Sequence, residues 1–76
     1  MGYGYSSILV ERNKKANRRL LGVALGRKCI AHNIPVADIA KELGVSRMTV
    51  YNWFVGAHEP QAFYAAAITE YLKKFK

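Results

Sequence analysis

Arg47 and Asn52, both within the stretch RMTVYNWF, are the side chains best suited to directional recognition chemistry. A guanidinium can donate two hydrogen bonds to the O6 and N7 of a guanine, and a carboxamide can pair with the N6 and N7 of an adenine. Met48 and Thr49, between them, have the apolar carbon that meets a thymine methyl. If the stretch is helical, Arg47 falls in the first turn, where a cation is unfavourable against the helix dipole. A phosphate or a base edge nearby would account for it.

Other chemistries find little support. Cys29 is the only cysteine, which excludes an internal disulfide, and His32 and His58 do not complete any metal-ligand spacing around it. Asp38 and Glu42 stand four apart, as a solvated acidic face of a helix would, and not as a catalytic dyad. No nucleophile has a base at a recognisable spacing, so no catalytic residue, metal or cofactor is expected.

The segment that must position Arg47 and Asn52 runs from Val36 to Gly56 and reads as two short helices joined by a tight turn. Ile39, Ala40 and Leu43 form the inner face of the first, and Gly44 breaks the pattern with a residue that takes positive φ cheaply. Val45 plugs the space between the helices. Ser46 has the side chain to cap the second helix. There Val50, Trp53 and Phe54 fall at i, i+3 and i+4 as a buried stripe, which leaves Met48, Tyr51, Asn52 and Thr49 looking outward.

The spacing of Ala40, Gly44, Val45, Ser46, Val50 and Trp53 resembles the helix-turn-helix of DNA-binding regulators. Its continuation through Trp53, Gly56 and Pro60, W-x-x-G-x-x-x-P, is similar to the phage Cro and repressor family, often called the XRE family. The likeness covers residues 34–60 well and the rest loosely. It implies that Ser46, Arg47, Met48, Tyr51 and Asn52 occupy outward positions used for DNA, with Arg47, Met48, Thr49 and Asn52 as candidate base readers and Ser46 and Tyr51 on the backbone. It also implies an all-α, compact four- or five-helix lambda-repressor-like domain with a central helix-turn-helix. One departure stands out: Val36 lies where the family usually has a glutamine that bonds phosphate.

The charge is +7, from 12 Lys and Arg against 5 Asp and Glu, and it is lopsided. Residues 1–35 hold Arg12, Lys14, Lys15, Arg18, Arg19, Arg27 and Lys28 against Glu11 alone, a net of +6, whereas residues 36–76 net +1. Such a half is an electrostatic footprint for a polyanion. These seven cations are therefore candidate phosphate contacts, those from Arg12 to Arg19 in an arm that tracks the backbone or reaches a minor groove. The plainer alternative is a solubilising face.

Residues 1–16 read as a basic, flexible arm with Gly2 to Tyr5 as a mobile lead; Ser6 or Ser7 is placed to cap a short helix if one forms. Residues 17–76 read as the DNA-binding domain. A helix is expected from about Asn17 to Asn33, in which Gly22 and Gly26 mark the close approach of another helix or of a phosphate backbone. Pro35 suits the first turn of the next helix. Pro60 is expected to start a last helix running to about Lys74, with Tyr64, Ile68, Tyr71, Leu72 and Phe75 on one stripe. The far end of that stripe, Tyr71, Leu72 and Phe75, is the candidate dimer interface.

The length suits one domain with a small core. No run approaches a membrane span, and a reducing cytoplasm, that of a bacterial host if the chain is phage-encoded, is the expected compartment. The expected partners are double-stranded DNA and a second copy of the chain. The alternative is a helical interaction module, such as a phage-encoded modulator of a host protein.

Overall fold

The computed structural model describes residues 5–74, and among them are five helices and no strand. They are α1 (Ser7–Lys15), α2 (Leu21–Ala31), α3 (Val36–Leu43), α4 (Arg47–Phe54) and α5 (Ala62–Leu72). The second is central: it packs against α1, α4 and α5, while α3 rests on α4. Phe54, Leu25, Ile39, Ile68, Val23, Val50 and Cys29 are fully buried at this junction.

The all-α architecture expected from the sequence is the one present. Helix ends are set by local chemistry. Ser6 caps α1 by accepting from the Leu9 N–H at 3.1 Å, and Ser46 caps α4 by accepting from the Thr49 N–H at 3.1 Å. Three helices close with a left-handed residue and a paired carbonyl pattern. After α3, Gly44 has φ of 70°, and Val45 N–H reaches Ala40 O at 3.0 Å. After α4, Gly56 has φ of 78°, and Ala57 N–H reaches Asn52 O at 2.9 Å. After α2 the left-handed residue is Asn33, φ 56°, with Ile34 N–H on Cys29 O at 2.8 Å.

Several boundaries differ from the expected ones. The second helix begins at Leu21 because the Asn17 side chain accepts the Arg19 N–H at 2.9 Å and holds residues 17–19 in a turn. Pro35 is the N-cap of α3, with extended ψ, and precedes its first turn. The last helix begins at Ala62 and ends at Leu72, with Gln61 as its cap.

Gly22 and Gly26 mark the approach of a helix. A Cβ on Gly22 would stand 2.7 Å from Trp53 Cβ and 2.8 Å from Trp53 O, and one on Gly26 would stand 2.8 Å from Phe54 Cγ. The missing side chains let α2 and α4 come together over the core.

Tyr5 departs from its expected place in a mobile lead. It is buried; its ring stacks on Phe54 at 6.2 Å, and its hydroxyl donates to Ile34 O. Burying an aromatic ring and satisfying its hydroxyl offset the entropy of ordering this residue. On α5, Ile68 is buried, while Tyr71 and Leu72 are half-buried against this chain's own core. Phe75, the third residue of the candidate dimer stripe, lies outside the described residues, as do Met1 to Gly4.

Candidate nucleic-acid interface

The fourth helix separates its side chains as its periodicity requires. Val50, Trp53 and Phe54 are buried, and Arg47 and Met48 are exposed, Met48 to 67%. Tyr51 and Asn52 are half-exposed beside them. Arg47 makes no hydrogen bond or ion pair among the described residues, so its guanidinium is available to a ligand.

The outward residues do not all face the same way. Met48, Tyr51, Asn52 and Val55 form one wall of a groove of about 430 Å³, and Ser6, Ile8, Leu9 and Arg12 of α1 and its cap form the other. Thr49 turns to the opposite flank, beside Ser46, His58 and Tyr64. Its hydroxyl lies 2.9 Å from Ser46 Oγ. The caps of α4 therefore use the hydroxyl chemistry of Ser46 and Thr49, whereas Arg47, Met48 and Asn52 present theirs outward.

The other groove wall is fixed in place by Asn13, which sequence reasoning missed, and by Arg27, which it read as a phosphate contact. Asn13 is the one buried polar residue among those described. Its Nδ2 donates to Phe54 O at 2.6 Å and to Val23 O at 3.2 Å, joining α1 to both helices below it. Nothing in the polar run ERNKKANRR distinguishes Asn13 from its neighbours, so no local signal pointed to it. Arg27 reaches up from α2 and donates to Lys14 O at 2.7 Å and Asn13 O at 3.4 Å, satisfying carbonyls at the end of α1. Its guanidinium is thus engaged in holding the fold.

Lys14, Lys28, Arg18 and Arg19 are exposed, the last two in the linker between α1 and α2. That linker lies against the end of α4, since a Cβ on Gly56 would meet Ala16 and Leu20 at 3.5 Å. Lys15 is exposed and stands 3.8 Å from Glu11. No carboxylate lines the groove. Asp38 and Glu42 line a separate recess with Lys41 and Tyr71, and Val36 is buried in the core.

The titrating groups in the core are structural. Burial pushes the Cys29 thiol up to about 12 and raises Tyr5 well above the ordinary phenol range. No group of three or more His, Cys, Asp or Glu is arranged to hold a metal among the described residues. No helix among them is long and apolar enough to cross a membrane.

A family model described as a homeodomain-like domain matches residues 15–55, the span from the last residue of α1 through α4. No curated protein and no solved structure matches the chain.

Proposed function

Because the chain belongs to the homeodomain-like domain family, and is thereby a helix-turn-helix protein of DNA-binding type, we propose that it is a small sequence-specific transcriptional regulator that inserts α4 into the major groove. In this reading Arg47 donates two hydrogen bonds to a guanine, Asn52 pairs with an adenine, and Met48 contacts a thymine methyl. Thr49, whose hydroxyl lies 2.9 Å from Ser46 Oγ, offers a methyl group to a thymine. Ser46, Tyr51, Arg12, Lys14, Lys15, Arg18, Arg19 and Lys28 hold phosphates and set the register; Arg27 contributes by keeping α1 in position.

One observation carries the proposal. The face of α4 opposite its buried stripe presents an unengaged arginine and an asparagine, bordered by a groove with a cation and no acid. The finer likeness to phage Cro and repressor proteins rests on the Trp53, Gly56 and Pro60 spacing. It favours a repressor that works as a homodimer, with its two recognition helices about 34 Å apart. Selection of bound duplexes from random DNA, followed by titration of the Arg47→Ala variant, tests the reading. A consensus that loses information at one base pair in the variant supports it; no enrichment over input DNA removes it.

The second reading, a protein-interaction module acting on a host protein, draws on α5. Phe63 is 81% exposed there, with Ala62 and Ala66 also exposed nearby. Co-purification of a host protein that is lost with Phe63→Ser, together with absent salt-dependent DNA binding, would favour it over the regulator.

A further inference from the structure

We infer that the groove between α1 and α4 seats one sugar–phosphate strand of the duplex whose major groove α4 enters, with Arg12 and Ser6 on its phosphates and Ile8 against its sugars. The inference rests on the DNA-binding reading above, which places Arg12 and Tyr51 on phosphates, and adds that one strand runs between the two walls of the groove they line.

A major groove about 12 Å wide admits one helix, and a helix with its side chains is itself about 10 to 12 Å across. Side chains of α1 share a groove with Met48, Tyr51 and Asn52, so α1 lies directly beside the reading face of α4. Two helices side by side cannot both enter. When α4 enters, α1 must therefore meet the backbone that walls the major groove.

Arg12 supplies a cation, and the first turn of α1 contains no acid to oppose a phosphate at that helix end. Glu11 lies outside this lining, on an adjoining recess that it shares with Ile8 and Arg12, and stands 3.8 Å from Lys15. Ile8 and Met48 are 73% and 67% exposed on opposite walls. A deoxyribose backbone matches this alternation of cation and apolar carbon, because each charged phosphate is followed by a largely apolar sugar. A second copy of this chain would instead bring a net charge of +7 against another +7.

Asn13 ties α1 to Phe54 O and Val23 O, Arg27 holds its last carbonyls, and Tyr5 anchors the residue before its cap. The groove is thus already formed in the unbound protein, which reduces the ordering cost of binding.

The test is a salt series on a mixed-sequence DNA duplex with the full chain and the variants Ile8→Glu, Arg12→Ala, Arg47→Ala and Lys73→Ala. Ile8→Glu alters an exposed side chain, and thermal melting checks that its fold is kept. The expected result is that Ile8→Glu weakens every duplex about five- to tenfold, because it places a carboxylate beside a phosphate. Arg12→Ala should reduce the magnitude of the log–log salt slope by about 0.9. Lys73→Ala removes the same charge from α5, where Lys73 is paired with Glu70 at 3.2 Å, and should leave the slope unchanged. If Ile8→Glu and Arg12→Ala bind like the parent while Arg47→Ala loses preference for a selected duplex, the groove holds no strand; the inference fails together with the Arg12 phosphate contact, and the base-reading role of α4 stands. If the parent chain shows no salt-dependent binding, both fail. If Ile8→Glu spares DNA binding but dissociates a protein complex seen in sedimentation, the groove belongs to a protein and the inference is overturned.

Discussion

The carboxamide nitrogen of Asn13 lies 2.6 Å from the carbonyl oxygen of Phe54, so a residue in the first helix satisfies the backbone at the end of the fourth. The same nitrogen serves Val23 O at 3.2 Å. Replacing Asn13 with Ala leaves both buried carbonyls short of a donor and is expected to cost about 1 to 3 kcal/mol of stability. Asn13→Asp should cost more, since an ionised carboxylate cannot donate to either carbonyl. Urea titration of the three proteins checks the order; an Asp variant as stable as the parent would contradict the assignment.

Gly22→Ala tests the approach of α2 to α4. On an exposed helix this change stabilises by roughly 1 kcal/mol. Here the new Cβ would stand 2.7 Å from Trp53 Cβ and 2.8 Å from Trp53 O, and backbone has little room to yield. A net loss of about 1 to 3 kcal/mol is expected from overpacking, read as a lower urea midpoint.

Arg47→Ala and Lys14→Ala should affect DNA binding differently. Loss of a guanidinium reading a guanine is expected to cost about 1 to 3 kcal/mol on the preferred site and to relax preference at one position. Lys14 is exposed at the end of α1, and its removal should weaken all sequences to the same extent while lowering the salt slope by about 0.9. Competition titrations with single-base variants of a selected duplex distinguish the two patterns. Equal losses on every duplex for Arg47→Ala would remove it as a base reader.

Stability should fall in alkali. The folded protein keeps the Cys29 thiol neutral up to about 12, against an ordinary value of 9.0, and holds Tyr5 neutral beyond the ordinary phenol range. Below pH of about 9 the thiol is neutral in both states and contributes no pH dependence. Above it the unfolded chain gives up its proton first, so the folded state binds more protons and stability declines as pH rises toward about 12. Tyr5 adds to the decline from pH of about 10 upward. Urea midpoints followed from neutral into alkaline buffer should decrease, and Cys29→Ala should soften the onset. A flat profile would show that neither group is sequestered as described.

The helix-turn-helix was legible because its determinants are local. Gly44 and Ser46 act within their own turns, and the Val50, Trp53 and Phe54 stripe is a matter of periodicity. Gly22 and Gly26 announced a close approach without identifying the neighbour, which needed Trp53 and Phe54 to be placed opposite them. The first helix was not legible in the same way. Its position depends on Asn13, Arg27 and Tyr5, each of which finds its partner at least ten residues away. The groove beside α4 is a product of those distant bonds, so Ile8 carried no sign of its neighbours. Only the arginine at one of its walls, Arg12, was marked by charge.

The separation of charge has a kinetic consequence. Six units of net positive charge lie in residues 1–35, while Asp38 and Glu42 line a recess on α3 that shares no residue with the groove. In the field of a polyanion such a body experiences a torque as well as an attraction. It should turn its basic side toward DNA before contact, raising the fraction of encounters that begin in a usable orientation. Added salt would then slow association more than it hastens release.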